Sequence, residues 1–426
     1  MARFRPFRAL RYDASRAGDL GSLVAPPYDV ISPEERDAFY DSSPYNVARL
    51  ILNRDGHPEA GRLFREWNGD GLCVRDQHEA FYLYAQDFNC GGTAIRRAGI
   101  IGALCLEPFS RGVVRPHERT FGHHKADRLE LTRETRANLS PIFGLYSNPD
   151  FTPEPDGGWD SPADIDVEQD GVRHCLWTLA SEQTCRAITE ALSGREVFIA
   201  DGHHRYETAL AYYAASHEGA EPGADDDAAG DEDCPEAHVM AFLAAFEDPG
   251  MVILPTHREL VGSGGADHAE FERRAAEAFQ IDRFERSQTG ARSLMAELEA
   301  SPEAANTVGV ALSGLDHYLL LRRDKQGAGK AADLDVSVLH EEVIDRILAG
   351  AGASAIQLEY NAEAESSLAK VEAGSIEGLF LLRATNTEQL SDVCRAGELM
   401  PHKSTYFYPK LLSGLLFHTL ETGGPA

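Results

Sequence analysis

Residues 195–213, REVFIADGHHRYETALAYY, gather groups able to handle an anion and a proton. Asp201 supplies a carboxylate that could hold a hard metal ion or take up a proton. Gly202 lets a ligand approach the backbone closely. His203 and His204 are imidazoles, and Arg205 offers a forked cation suited to phosphate or carboxylate. The spacing places this run at a strand-to-helix turn. Val197–Ala200 reads as a short buried strand, and Tyr206–Ser216 as a helix with an apolar stripe at Tyr206, Ala209, Leu210 and Tyr213. The first N–H groups of a helix lack intrahelical partners and sit at the positive end of its dipole, so they favour an anion. The alternative is that Asp201 caps the helix and the two histidines are ordinary loop residues.

A second stretch is RGVVRPHERTFGHHKADRLELTRETRANLSPIFGLY, residues 111–146. From Arg111 to Arg136 it holds seven Lys or Arg against four Asp or Glu, an excess of positive charge within an acidic chain. That predicts a cleft for an anionic ligand. Arg119, His123, His124, Lys125 and Arg128 are the candidate phosphate contacts. Glu118, flanked by cations, is a candidate base or metal ligand. From Ala126 onward the same residues also fit a solvated helix laced with ion pairs around Glu130, Arg133 and Glu134.

The third stretch, GELMPHKSTYFYPKLLSGLLFH at 397–418, packs an imidazole, a cation and two hydroxyls into His402, Lys403, Ser404 and Thr405. Lys403, Ser404 and Thr405, together with Lys410 and Ser413, could bind a carboxylate or phosphate. Lys410 and Ser413 stand one helical turn apart. The same stretch fits a C-terminal strand and helix that bury Tyr406, Phe407, Leu411 and Leu412. A zinc hydrolase would need His117, His123, His124, His203 and His204 to meet in space, since their spacing matches no zinc motif. Asp201 and Glu118 suit Mg2+ better, an ion that travels with phosphates. GxxxxGK[ST], GxGxxG and GxSxG are all absent.

The elements that position these groups alternate between strand and helix. Phe81–Tyr84 and Ala98–Leu104 read as strands. Ser32 as N-cap, Pro33 as first helical residue and Glu35 as third form a capping box. Residues 148–166 read as a loop between two units. Further strands are expected at His238–Phe246, Met251–Pro255, Thr307–Leu312, Tyr318–Leu321 and Gly378–Leu382. Helices are expected at Ala269–Phe279, Arg292–Glu299 and Glu388–Ala396. VSVLHEEVIDRILAG forms another, burying Val338, Leu339, Val343, Ile344 and Leu348. The alternation favours an α/β or mixed α+β architecture. Three regions follow: 1–150 with the HERT segment, 151–262 with the DGHHR turn, and 263–426 as a C-terminal α/β region.

Composition bounds the partners. A net charge of −29 argues against general nucleic-acid binding. Nine of the 19 residues from Glu218 to Glu236 are acidic and none is basic, which predicts a disordered surface loop. No apolar run is long enough to span a membrane, and MARFRPFRALRYD lacks the apolar core of a secretory signal. Seven scattered cysteines form no CxxC pair. A cytoplasmic setting is the expectation.

The chain resembles the domain of unknown function 1015 family. The matching pieces are APPYDVIS, HERTF with KxDRL and SPIFGLY, FIADGHHRYETAL, DPGMVILPTHR, LDVSVLH and MPHKSTYFYPKLLSGL. More distantly, DGHHRYETA is similar to the Gly-x-x-Arg element at a helix start in ParB/sulfiredoxin-like folds, which binds nucleotide or phosphate groups. Its leading Asp resembles that of free-serine kinases of this fold. The resemblance implies a ParB/sulfiredoxin-like core with additional N- and C-terminal α/β regions. It also implies a phosphotransferase acting on the hydroxyl of a small metabolite, with free serine giving O-phosphoserine as the leading acceptor. Asp201 would then assist Mg2+ or act as base, His204 would join it in catalysis, and Gly202, His203 and Arg205 would cradle phosphate. Glu118 matches the upstream base by its order along the chain. The phosphoryl donor would be ATP, ADP or pyrophosphate. A phosphatase or metal-dependent hydrolase at the same site, and a nucleotide-binding switch or adaptor, are the alternatives.

Overall fold

The computed structural model describes residues 2–118, 123–217, 222, 234–327 and 329–421, with the backbone alone for His123–Lys125. Arg119 lies outside the described residues. So does the expected acidic loop, apart from Pro222 and residues 234–236. Two compact units divide the chain. The first comprises Met1–Pro116, Thr120–Val252 and Pro409–Ala426; the second comprises His117–Arg119 and Ile253–Tyr408. The fold class is mixed α/β. Among the described residues no helix is long and apolar enough to cross a membrane.

Unit 1 is built on a nine-stranded mixed sheet. Its order runs Val114–Arg115, Val197–Asp201, Ile142–Tyr146, His238–Ala245, Thr93–Cys105, Phe81–Cys90, Val172–Leu179 and Ile165–Gln169, with Phe4–Arg5 added against Thr93–Cys105. Two neighbouring pairs are parallel: Val197–Asp201 with Val114–Arg115, and His238–Ala245 with Ile142–Tyr146. The hairpin of Phe81–Cys90 and Thr93–Cys105 extends beyond the apolar segments FYLY and AGIIGAL, chiefly toward its turn. Its outer half is polar but pairs across the strands, with Asp87 opposite Arg96 and their side chains bonded at 2.7 Å. Gly91 and Gly92 close the turn at φ 57° and 82°, the left-handed pair that a two-residue hairpin needs. Helix His203–Ser216 packs Tyr206, Ala209 and Tyr213 against this sheet.

A second core in unit 1 lies among helices Pro33–Ser42, Ala48–Ile51, His57–Gly69 and His123–Thr135. The expected capping box is present: the Glu35 N–H donates to Ser32 Oγ, and the Ser32 N–H to Glu35. The segment after Pro409 belongs to this unit but forms no helix, so Lys410 and Ser413 do not share a helical face. It runs extended instead. Ser413 exchanges backbone hydrogen bonds with Ala25, and Phe417 does so with Leu10.

Unit 2 carries a six-stranded antiparallel sheet in the order Gln280–Glu285, His317–Asp324, Ala305–Leu312, Gly378–Leu381, His257–Gly262 and Gln357–Asn361. The two outermost strands are polar and partly exposed, which is why hydrophobic pattern alone missed them. His257–Gly262 was hidden for another reason: its Arg258 and Glu259 are charged yet fully buried. Glu259 is matched there by Ser367 at 2.6 Å, Asn361 at 3.0 Å and Lys370 at 2.8 Å. The amphipathic helix spans Asp335–Val338 and Leu339–Leu348, and all five expected apolar residues are buried.

Candidate functional site

In unit 1 the DGHHR run lies where strand Val197–Asp201 meets helix His203–Ser216. Phe198 and Ile199 pair with Leu145 and Gly144, but Asp201 then pairs with Phe143, so the strand bulges between Ile199 and Asp201. A bulge kinks the strand and re-aims the side chains around it. The helix begins at His203, three residues earlier than apolar periodicity suggested. Gly202 serves as N-cap at φ 87°, a left-handed conformation, and no side chain caps the helix. Asp201 is therefore the last strand residue and not the cap. His203, His204 and Arg205 form the first helical turn.

The Asp201 carboxylate lies between two cations. Arg205 approaches Oδ2 at 3.3 Å and Lys410 Nζ at 3.7 Å. All three side chains are largely buried, at 21%, 14% and 13% exposure for Asp201, Arg205 and Lys410. Arg205 also donates to the Pro141 carbonyl. Lys410 is held through its backbone: Gln86 donates to the Lys410 carbonyl at 2.9 Å, and fully buried Arg97 donates to the Pro409 carbonyl and to Gln86. Burial brings the Arg97 guanidinium down to about 10. Asp201 is among the charges that partly offset this, after Tyr84 and Asp248. Burial, and then the neighbouring Asp29, push the Tyr28 phenol up to about 12; Arg205, Arg128 and Asp201 also act on it. Arg128 lies 4.3 Å over the Tyr28 ring. Its N–H groups go to Asp127 and, at 2.8 Å, to the Ile51 carbonyl, so its fork is already engaged.

Unit 2 contains the other expected group. Glu118 is nearly buried, and its carboxylate accepts the backbone N–H groups of Lys403 at 3.0 Å, Ser404 at 2.9 Å and Thr405 at 3.1 Å. The Thr405 hydroxyl donates to it at 3.1 Å, and His117 Nε2 lies 2.8 Å from that hydroxyl. The opposite side of the turn is held by Arg258, which donates to the carbonyls of His402 at 3.3 Å and Lys403 at 3.0 Å. Burial holds Arg258 at about 10 and the adjacent His340 imidazole down at about 4. The structure thus brings Glu118 to Lys403, Ser404 and Thr405, and Asp201 to Arg205. Asp201 and Glu118 belong to different units. His123, His124 and Lys125 open helix His123–Thr135. Sequence reasoning missed Arg97, Arg258 and Tyr28, and did not assign Lys410 to the site.

Among the described residues no three ligating side chains gather around one point. A metal cage made by the protein alone is therefore not built there. Mg2+ held chiefly by phosphates needs only one or two carboxylates, and Asp201 would be the residue to supply one.

A family model described as a protein of unknown function (DUF1015) matches residues 4–337. No curated protein matches the chain in sequence. Among solved structures, a free serine kinase variant in complex with AMP is similar with a TM-score of 0.36 and 12% identity, covering 69% of this chain and 84% of that one. A conserved hypothetical protein from Pyrococcus furiosus gives 0.34 and 15%, covering 70% and 89%. SbnI with C-terminal truncation from Staphylococcus aureus gives 0.32 and 10%, covering 74% and 85%.

Proposed function

This chain belongs to the DUF1015 family, and we propose that it is a phosphotransferase whose reacting centre is the Asp201–Arg205 turn of unit 1. The observation that carries this reading is one largely buried carboxylate set between two cations at a bulged strand end and a helix start that no side chain caps. Phosphoryl transfer asks a protein for positioning and charge stabilisation above all. In the proposed step the acceptor hydroxyl oxygen attacks the terminal phosphorus of the donor. The bridging P–O bond breaks, and its electron pair leaves with the rest of the donor. The hydroxyl proton passes to the Asp201 carboxylate as the phosphate oxygens take up the charge of the cations beside it. The first helical turn, from Gly202 through His203 and His204 to Arg205, directs its dipole at the transferred group. Mg2+ arriving with the donor would be held chiefly by the donor's phosphates, near Asp201, and would neutralise phosphate charge.

Free serine is the first acceptor to test, because the DGHHR element resembles that of free-serine kinases; ATP, ADP and pyrophosphate are the donors to test. Glu118 is not assigned the base role. Its oxygens hold the Lys403–Thr405 turn, which already binds a carboxylate, that of its own chain.

The test is a donor-by-acceptor screen with Mg2+, read by mass spectrometry for the phosphorylated acceptor. Wild-type protein should form O-phosphoserine or another phosphorylated hydroxyl metabolite. Asp201→Asn should lower kcat about a hundredfold or more, the scale of a lost base or key charge. Arg205→Ala should chiefly raise the KM for the donor. Phosphate release without an acceptor would point to a phosphatase. Nucleotide binding without any turnover would point to a switch or adaptor. Either result would overturn the transferase reading.

A further inference from the structure

We propose that Lys410 is a catalytic residue of this centre, a fixed cation that contacts the transferred phosphoryl group; the proposal rests on the phosphoryl-transfer reading. Sequence pattern counts Lys410, between Pro409 and two leucines, among several groups of the C-terminal stretch able to bind an anion, and does not place it beside Asp201. Its surroundings differ from those of a surface lysine. Only 13% of the side chain is exposed, and Nζ points towards Asp201.

The backbone around it is fixed by buried polar groups. Arg97, with no exposure, donates to the Pro409 carbonyl and to Gln86 Oε1, and the other end of Gln86 donates to the Lys410 carbonyl. Two residues on, the Leu412 N–H meets the Tyr84 hydroxyl at 3.4 Å, and that hydroxyl is bonded to buried His174 at 2.6 Å. Burying an arginine, a glutamine and a histidine is costly unless each is hydrogen-bonded, and here their bonds converge on the backbone that carries Lys410. Such a support pre-organises a side chain, as a transition-state contact requires.

Both cations of the centre address one carboxylate oxygen. Lys410 stands 3.7 Å from Asp201, and Arg205 approaches the same oxygen from its own side at 3.3 Å. A phosphoryl oxygen arriving there comes within reach of both ammonium and guanidinium. Arg205 offers a fork to hold the donor, whereas lysine offers a compact point charge for the oxygen on which charge develops. Lys410 keeps its proton throughout; its contribution is electrostatic.

The experiment compares wild type, Lys410→Met and Lys410→Arg. Calorimetric titrations with ADP and with pyrophosphate, the donor-by-acceptor turnover assay and thermal unfolding are run on all three. Lys410→Met should lower kcat about a hundredfold, the scale of one electrostatic contact. It should weaken pyrophosphate binding at least tenfold while unfolding at the wild-type temperature. Lys410→Arg should restore binding and part of kcat. Wild-type kcat and affinity in Lys410→Met would overturn the role of Lys410 and leave the transferase reading standing. A wild-type protein that neither turns over nor binds either anion would overturn both. Binding lost in Lys410→Met and regained in Lys410→Arg, without turnover in any form, would support the phosphate contact and reject the transferase. If Lys410→Met unfolds early, lost binding in a Lys410→Arg protein that melts like wild type would itself overturn the proposal.

Discussion

Glu118 and Arg258 grip one turn from its two chemical sides: the carboxylate takes its N–H groups and the guanidinium takes its carbonyls. Between them Lys403 sits at φ 56°, a left-handed conformation that costs a non-glycine residue about 1–2 kcal/mol. The clamp offsets that cost. It also makes a distinctive prediction for Glu118→Gln. The amide keeps the shape but has only one accepting oxygen, whereas the N–H of Lys403 and those of Ser404 and Thr405 address different oxygens of Glu118. At least one backbone donor would then face an NH2 group, a loss of about 1–3 kcal/mol. Differential scanning calorimetry should show the unfolding temperature of Glu118→Gln lowered by several degrees. An unchanged unfolding temperature together with lost turnover would return Glu118 to the role of base.

The strand, glycine and helix around Asp201 work as one device. The bulge turns the end of the strand, Gly202 absorbs the change of direction in a single residue, and the helix begins at once. A Cβ at position 202 would lie about 2.9–3.0 Å from the Arg205 guanidinium, on a backbone that L-residues rarely adopt. Gly202→Ala should therefore cost about 1–2 kcal/mol by left-handed strain and push Arg205 off Asp201. Chemical denaturation and ADP titration should both register the change, and a variant with wild-type values in both would show that the turn is adaptable. The strand and helix were legible in the sequence because Phe198, Ile199, Tyr206, Ala209 and Tyr213 carry clear periods. The true helix start was not, since a polar first turn leaves no apolar mark. The place of Lys410 beside Asp201 escaped for a different reason: its supports, Gln86 and Arg97, lie on a hairpin remote in sequence, and no local pattern reports such a contact. Arg258 and Glu259 escaped because buried charge reads as surface until its partners are known.

Both units bury histidines, and this sets how the whole molecule responds to acid. In unit 1, burial depresses His174 to about 3, with Arg97 adding to the effect, and His418 to about 3, with His238, Arg5 and Arg75 adding. In unit 2, burial and Arg258 bring His257 to about 4, and burial, Arg258 and His402 bring His340 to about 4. In an unfolded chain each would titrate near 6.5. Above that pH both states are neutral at these sites, and their contribution to stability is complete. As pH falls from about 6.5 towards 3–4 the unfolded chain binds protons that the native state refuses. Stability then drops by about 1.4 kcal/mol per pH unit for each such histidine. The loss is complete once the folded values are passed. Urea unfolding between pH 7 and pH 4 should show a steep fall that begins near pH 6.5, before most carboxylates titrate. His174→Gln retains a polar group beside the Tyr84 hydroxyl but removes one titrating site, so its stability should fall with pH by about one proton's slope less than wild type. Equal slopes in the two proteins would mean that His174 takes up its proton in the folded state, contrary to the burial that holds it neutral.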